Sequence, residues 1–497
     1  MLIEIVITMV LIYYLSDQWR KTARLPPGPY PVLFFGNLPQ LALYAWKYGG
    51  IVGAFKIIKK KYGPVFTVWL GPILTVHIAD YTLSQEAMVR YGAKYQDRWS
   101  PALMLEGRGD RGVIVSNGQI WQEQRRFSLY VLRNLGVSRN VMEERIMDEF
   151  NMRFEKIDHL PSGSPVDPFH LFDRLVGGVI NRILFSMPVD EEEEMKFYRY
   201  KKEMDEFVED LSFIDSFASK WMLKVPVLNT RWKRMTQPIL NMKEFIRKQV
   251  EERKHAIENG NHIIDAEPQD YTDAFIQKIK ENAKDGVTDT SFDDESLVVN
   301  ILDLWIAGQE TTSTTLCWAM IYLLRNPKVV TDAREELLKV TGGSRPLSLA
   351  DKQNTPYFVA TLTEIQRISS ILNINIFRLA DSDTEIGGYP VPKNTVVSAE
   401  LSLILSDESK FPNPEKFDPS RYISDPSLAT MVIAFGLGRR VCLGEALARA
   451  ELYLILGNLL LRYSLECIGG QPPSEEVNKF GIMRKPQEFQ MIFRKIT

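Results

Sequence analysis

The chain has 497 residues and a formal net charge of −3 at pH 7, so its overall charge gives no indication of a nucleic-acid partner. Its three cysteines, Cys317, Cys442 and Cys467, are too few for a disulfide framework, and no C-x-x-C pair indicates zinc. No long Gly/Ser linker or internal repeat divides the sequence, so one domain over residues 30–497 is expected.

The first predicted element is a membrane anchor over residues 1–24. Leu2 to Leu15 is apolar apart from two residues, and basic residues follow it, which keeps the rest of the chain in the cytosol. The run is shorter than the roughly 20 residues of a full span. A cleaved signal peptide and a buried N-terminal helix are the alternatives, but no basic segment precedes the run and no small-x-small cleavage site follows it. Residues 25–29, with three prolines, form a stiff non-helical segment.

The first half of the chain then alternates short apolar strands and helices. Strands are predicted at Val65 to Leu70 and at Ile73 to Ile78, on either side of a Gly-Pro turn. Helices are predicted at 54–62, within 117–160, and at 168–186, 191–211 and 232–258.

The second half holds the longest predicted helix, which follows the capping residues Asp289 to Glu295 and continues to Arg325. Such a helix is roughly 50 Å long at 1.5 Å per residue. Further helices are predicted at 327–341, 356–370 and Glu445 to Leu461, and hairpin strands between Ile386 and Val397 around Pro390 and Pro392. The predicted fold class is therefore mainly α with a minor β portion.

The most specific motif runs from Phe435 to Gly444 and reads F-x-x-G-x-R-x-C-x-G, with Gly438, Arg440 and Cys442 at its centre. Five fixed positions match by chance in roughly one in ten thousand chains of this length. The motif resembles the heme-ligand loop of the cytochrome P-450 superfamily, the heme-thiolate monooxygenases. The alternative is an ordinary buried free cysteine. The resemblance implies a helix-rich wedge with heme b buried between two long helices and Cys442 as the iron ligand.

The chemistry of a thiolate ligand agrees with this motif. A thiolate on heme iron pushes electron density toward bound dioxygen. Gly438 and Gly444 are expected to let backbone approach the sulfur and the porphyrin closely. The helix predicted from Glu445 points its N-terminus at the sulfur and favours negative charge there.

Two further segments match the same family in order. Glu364 and Arg367 form an E-x-x-R on one helix face, where they can pair. The segment from Phe411 to Tyr422 resembles the family's Pro-Glu-Arg-Phe, with serine at the glutamate position and tyrosine at the aromatic position. Arg421 is therefore expected to complete a buried structural triad with Glu364 and Arg367.

The middle of the long helix carries Ala307, Gly308, Glu310 and Thr311. In the resembled family the small residues leave room for dioxygen, the threonine hydroxyl holds it, and the neighbouring acid helps deliver protons. O–O cleavage does need protons supplied to the distal oxygen without flooding the site with water. The alternative for Thr311 is a hydroxyl bonded back to the preceding turn of the helix.

The heme carboxylates need donors if they are buried. Trp121 and Arg125 lie one turn apart and match the family's W-x-x-x-R, so they are expected to bind a propionate. Arg378 and Arg440 are further candidates, and Arg98 is a weaker one. A solvated surface position is the alternative for each arginine.

The function expected from the resemblance is insertion of one oxygen atom from dioxygen into a fatty acid, steroid or xenobiotic. No G-x-G-x-x-G follows a strand, so electrons from NADPH are expected to arrive through a separate flavoprotein reductase, with a cytochrome b-type donor as a second candidate. A reductase-independent heme-thiolate isomerase or dehydratase is one alternative, and a non-catalytic heme or lipid carrier or gas sensor is another. The sequence from Gly136 to Met147 resembles the nematode branch of the microsomal animal enzymes, which implies the endoplasmic reticulum membrane.

Two predictions concern surfaces. Pocket residues are expected within 99–116, 205–228, 300–311, 371–377 and 479–484, which are mostly apolar or aromatic. Phe217 and Trp221 to Leu223, beside Lys220 and Lys224, resemble an interfacial segment that dips into a membrane, with a helix packed on the core as the alternative.

Overall fold

The computed structural model describes residues 24–136, 140–186, 191–211, 215, 220–470, 474 and 483–496. The predicted anchor, apart from Arg24, lies outside the described residues, as does Phe217. Among the residues described, no helix combines the length and the apolar composition that crossing a bilayer requires. The predicted fold class, mainly α with a minor β portion, is confirmed.

The chain forms two compact units. The first contains residues up to Trp99, then Asn373–Ile404 and Gly436–Val441, and the second contains the rest. The single domain predicted over 30–497 stays a prediction.

The first unit is built around a four-stranded sheet in the order β1-β2-β6-β3. β1 and β2 are antiparallel, β2 and β6 are parallel, and β3 is antiparallel to β6. Its elements are α1 (Leu38–Tyr48), α2 (Ile51–Tyr62), β1 (Val65–Leu70), β2 (Ile73–Ile78), α3 (Tyr81–Gln85), a π-helical turn (Glu86–Arg90), β3 (Arg378–Leu379), β4 (Thr384–Ile386), β5 (Tyr389–Val391) and β6 (Val396–Ala399). The strands predicted at β1 and β2 are confirmed.

The hairpin predicted between residues 386 and 397 is wrong in its turn and its extent. The turn is Gly387-Gly388, where both glycines have positive φ, and it joins β4 to β5. Consecutive glycines adopt that backbone without a steric penalty, so they form the turn, and Pro390 lies inside β5. Val396–Ala399 leaves the hairpin and pairs with β2 instead.

The second unit is almost entirely helical and has its own hydrophobic core. Its helices are α4 (Ala102–Arg108), α5 (Gly118–Asn134), α6 (Asn140–Asp158), α7 (Pro168–Phe185), α8 (Glu191–Asp210), α9 (Pro226–Glu258), α10 (Tyr271–Lys284), α11 (Asp294–Arg325), α12 (Pro327–Thr341), α13 (Pro356–Ser369), α15 (Ser420–Ser424), α16 (Ser427–Thr430) and α17 (Glu445–Arg462), and α14 (Leu401–Leu405) lies at the boundary between the units. Short 3₁₀ turns lie at Lys220–Lys224, Leu349–Asn354, Gly438–Arg440 and Ile468–Gly470, and β7 (Tyr463–Cys467) pairs with β8 (Met491–Lys495).

The central helix of the second unit is α11, and its sequence defines both of its ends. The Asp293 side chain caps the first turn by accepting a hydrogen bond from the Ser296 amide at 2.7 Å. Asp294 and Glu295 in that turn and Arg325 in the last one complement the helix dipole. The helix predicted here is confirmed, and almost all of its length is buried.

Candidate active site

The predicted cysteine loop places its thiol in the open. The Cys442 amide donates a hydrogen bond of 3.0 Å to the Phe435 carbonyl, and the Cys442 side chain is exposed. A side chain at Gly444 would meet nothing within 4 Å, so space is open beside the loop. Three residues after the cysteine α17 begins, and from Leu447 to Leu460 it is largely buried. This exposed thiol, three residues before an interior helix, is accessible to a ligand.

Gly438 has a different role from the one expected. It lies in the first unit with φ +72°, and a side chain there would collide with the Met88 carbonyl oxygen of the π-helical turn. The glycine therefore allows the loop to pack on neighbouring backbone within its own unit.

Trp121 and Arg125 come together as predicted. The Arg125 guanidinium lies over the buried Trp121 ring, 5.9 Å from its centre. Burial lowers the pKa of Arg125, and the charge of the Cys442 sulfur partly offsets that effect. Arg125 is therefore within electrostatic reach of the candidate ligand.

The other predicted arginines meet in the first unit. Arg378 and Arg440 are both buried, and Arg378 donates to the Arg440 carbonyl at 3.4 Å. Arg440 Nε donates to the Gln96 carbonyl at 2.8 Å, and Arg98 pairs with Arg378 in a β-bridge. The surface alternative is therefore wrong for Arg378 and Arg440.

The middle of α11 has an uncovered patch. Ala307 is exposed and Thr311 half-buried in a helix that is otherwise nearly all buried. The Thr311 hydroxyl donates to the Ala307 carbonyl at 2.7 Å, which is the bond to the preceding turn considered as the alternative. A Cβ at Gly308 would lie 2.6 Å from Ile180 Cδ1, so Gly308 allows α7 to pack closely against α11. Gly308 therefore lies in a helix–helix contact, and the uncovered patch is at Ala307.

Glu310 lies in an ion-pair cluster. Lys485 Nζ is 2.6 Å from Glu310 Oε1, and Lys201 Nζ is 3.3 Å from Glu310 Oε2. Burial raises the pKa of Glu310, but the two ammonium groups outweigh burial and hold the pKa below its ordinary value. Glu310 is therefore ionised at neutral pH. Neither lysine partner could be predicted, because both are distant from Glu310 along the chain.

The E-x-x-R network is present and is larger than predicted. Arg367 donates two hydrogen bonds to Glu364, of 2.8 and 2.9 Å, and Arg421 Nε donates to Glu364 Oε1 at 3.1 Å. The Tyr422 hydroxyl, which sequence reasoning missed, donates to Glu364 Oε2 at 2.8 Å. Arg367 also donates to the carbonyls of Leu405 and Pro414, so the network ties α13 to the segment that precedes the cysteine loop.

Sequence reasoning also missed two buried acids. On α17, Glu451 is hydrogen-bonded to Thr312 of α11, and its Oε1 has no hydrogen-bond partner among the described residues. Burial raises the pKa of Glu451 to about 8. On α11, Asp303 pairs with Arg108 and accepts hydrogen bonds of 2.8 Å from the amides of residues 113 and 114. A lone acid within an apolar helical run was the available signal for both.

These residues fit a heme. A flat apolar group with a metal at its centre needs an anionic soft ligand, open space and donors for its carboxylates. The exposed Cys442 thiol, the space beside Gly444 and the uncovered patch at Ala307 supply the first two, and Arg125 supplies a nearby donor. The contact between Thr312 and Glu451 joins α11, which carries the patch, to α17, which begins three residues after Cys442.

Comparison with known proteins agrees with this site. The family model described as Cytochrome P450 matches residues 26–493. The probable cytochrome P450 cyp-35D1 of Caenorhabditis elegans is 38% identical over 473 residues, which cover 94% of each chain. Cytochrome P450 2C70 of Rattus norvegicus is 31% identical over 98% of this chain and 97% of its own. Cytochrome P450 2H2 of Gallus gallus is 32% identical over 91% of this chain and 90% of its own.

Proposed function

Because this chain belongs to the cytochrome P450 family, on its nematode branch, and is a heme-thiolate monooxygenase, we propose that Cys442 is its iron ligand. The enzyme uses heme b, and NADPH supplies the electrons through a reductase. The observation that supports Cys442 is its exposed thiol at the start of an interior helix. The helix N-terminus and Arg125 both favour the thiolate over the thiol.

Several residues of this chain are proposed to hold the heme. When bound, heme supplies the iron at which dioxygen is reduced and split. Trp121 and Arg125 would donate to a propionate, which their stacked pair near Cys442 supports. The same role for Arg378 and Arg440, and the packing of Phe435 and Gly444 near the sulfur, stay proposals from the sequence motif.

Proton handling is proposed for Thr311 and Glu310. The Thr311 hydroxyl donates its hydrogen bond to the Ala307 carbonyl, so the hydroxyl oxygen remains available as an acceptor beside the uncovered patch. The Thr311 oxygen would therefore accept a hydrogen bond from a water or hydroxyl beside the patch without supplying a proton itself. Glu310, which precedes Thr311 on the helix, is proposed to resupply protons through water.

The proposed substrates are lipophilic small molecules: a fatty acid, a steroid or a xenobiotic. The packing of residues 108–114 against α11 through Asp303 supports a pocket wall in this part of the predicted lining. Within that wall, Asp303 neutralises the buried Arg108 guanidinium. The test is NADPH consumption by the holoenzyme with added reductase, followed by comparison of lipid extracts treated with active and heat-inactivated enzyme. Oxygenated products that depend on NADPH are expected, and NADPH consumption without any product would refute the proposal.

The partners proposed are an NADPH-dependent flavoprotein reductase and, as a second donor, a cytochrome b-type protein. The location proposed is the endoplasmic reticulum membrane, with residues 1–24 as a single anchor, 25–29 as a hinge and 30–497 as one catalytic domain facing the cytosol. Exposed aromatic residues support a membrane-facing surface in each unit: Phe34 and Trp46 in the first, and Trp221 between two exposed lysines in the second.

Vesicle flotation of a variant that lacks residues 1–24 tests the surface proposal. The truncated protein should float with anionic vesicles, and Trp221→Ser should weaken its flotation. Replacing Tyr130, which is exposed on α5, is the matched control and should have no effect. A truncated protein that stays wholly in solution would refute the surface proposal without bearing on the anchor.

A further inference from the structure

Glu310 belongs to a cluster that the proposed function does not use in full. Lys201 Nζ lies 2.5 Å from Asp205 Oδ2, 2.8 Å from Asp173 Oδ2 and 3.3 Å from Glu310 Oε2. Lys485 Nζ lies 2.6 Å from Glu310 Oε1 and 3.5 Å from Asp205 Oδ1. Both lysines therefore bridge Asp205 and Glu310. The groups come from α7, α8, α11 and the segment before β8.

The charges of this cluster do not balance if every acid is ionised. Three carboxyl groups face two ammonium groups, so one proton on a carboxyl makes the buried cluster neutral. An uncompensated charge in a desolvated cluster is strongly destabilising. The cluster is therefore expected to hold a proton.

The contacts identify where that proton lies. Lys201 Nζ and Lys485 Nζ each lie within 3.5 Å of both Asp205 and Glu310, so the two carboxyl groups are close neighbours and repel each other when both are ionised. Burial and the charge of Glu310 raise the pKa of Asp205 to about 8, whereas the two lysines outweigh burial at Glu310. The Asp205 side chain is also more exposed, at 24% against 10% for Glu310.

We propose that Asp205 and Glu310 share one proton, and that Asp205 is the residue through which Glu310 regains a proton from solvent. This inference rests on the proposed role of Glu310. The Asp205 O–H bond breaks as its proton passes to a Glu310 carboxylate oxygen, and Glu310 then gives that proton to water in the site. The Asp205 carboxylate takes a proton from solvent water, and bulk solvent neutralises the hydroxide left behind. No electrons move, and the pair returns to one proton and one negative charge. Asp205 acts through Glu310, so it is a positioning residue.

Infrared spectroscopy of the ferric holoenzyme tests the shared proton directly, through the carbonyl stretch of protonated carboxylic acids. Asp205→Asn and Glu310→Gln should each remove the same band at neutral pH, because either change leaves as many carboxylates as ammonium groups. Asp205→Glu should keep the band. Glu451→Gln is the matched control, since it removes a buried acid outside the cluster whose pKa burial raises to about 8, and it should leave this band unchanged. A spectrum in which Asp205→Asn loses no protonated carboxyl would overturn the proposal.

Coupling tests the supply role. With reductase and a turned-over substrate, the ratio of product to NADPH should fall by on the order of 10²-fold in Glu310→Gln, the lower end of a general-acid contribution. The ratio of product to NADPH should also fall in Asp205→Asn, and its solvent deuterium isotope effect should be larger. Asp205→Glu should restore both values. Tight coupling in Glu310→Gln would refute the proposed function and the supply role, whatever the band shows. Uncoupling in Glu310→Gln but wild-type coupling in Asp205→Asn would refute the role of Asp205 alone.

Discussion

Glu451 makes the stability of this enzyme depend on pH in a way that Glu451→Gln should abolish. The acid is fully buried on α17, and burial raises its pKa from 4.5 to about 8. Between these values the folded chain keeps a proton that the unfolded chain has released. The stabilisation is therefore complete below pH 4.5 and is lost as pH rises through about 8. Glutamine has nearly the shape of the neutral acid and does not titrate.

The magnitude follows from the size of the shift. A difference of about 3.5 pKa units corresponds to about 5 kcal/mol, or about 1.4 kcal/mol for each pH unit. An unfolding entropy of about 2.1 cal/mol/K per residue gives a chain of this size a change in Tm of about 1 °C per kcal/mol. Part of this change lies outside the pH range of the assay, so the wild-type Tm should fall by about 4 °C relative to Glu451→Gln between pH 5 and pH 8.5.

The assay is thermal unfolding of the ferric holoenzyme, followed by tryptophan fluorescence at intervals across this pH range. Glu466→Gln is the control. The hydrogen bond from Arg494 lowers the pKa of Glu466, so the stabilisation from Glu466 is lost only at acidic pH. The Tm difference between wild type and Glu466→Gln should therefore stay constant above pH 5. A wild-type Tm that runs parallel to that of Glu451→Gln across the range would mean that Glu451 is ionised in the fold, and would refute the reasoning.

Three further predictions concern the site. Cys442→His should lose the red-shifted Soret band of the reduced CO complex, and an unchanged spectrum would place the ligand elsewhere. Arg367→Ala should cost on the order of 3–5 kcal/mol and yield heme-free or aggregated protein, whereas Tyr422→Phe should cost about 1.5–3 kcal/mol and stay loaded, as measured by heme content and denaturant unfolding; equal losses would contradict the network. Thr311→Ala should still consume NADPH but release hydrogen peroxide, with product falling by up to about 10²–10⁴-fold, and tight coupling would remove Thr311 from the mechanism.

The sequence predicted the elements whose signals are local. The acidic cap and apolar run of α11 defined that helix, and the Gly71-Pro72 turn between two short apolar runs defined β1 and β2. The E-x-x-R spacing placed Glu364 and Arg367 on one face, where they pair. These predictions held because the interacting groups are neighbours along the chain or on one helix.

Partners distant in sequence could not be predicted in this way. Nothing near Glu310 indicated that Lys201 and Lys485 would hold it, since spacing within a helix says nothing about residues more than a hundred positions away. Gly308 was interpreted as room for a ligand, but it serves the packing of α7, because a glycine fits either purpose and only the neighbouring helix decides. The turn at Gly387 was also missed, because the prediction placed the hairpin around Pro390 and Pro392, a few residues away.

The hydroxyl of Tyr422 also bears on how this enzyme can change over generations. The resembled segment has phenylalanine at this position, and one base change in a codon converts phenylalanine to tyrosine. The added oxygen donates to a buried carboxylate, so the scaffold gains stability far from any residue that meets the substrate. Proteins persist just above a stability threshold, and most substitutions that reshape a pocket lower stability. The stability that this hydroxyl adds can therefore offset the cost of substitutions that reshape the pocket.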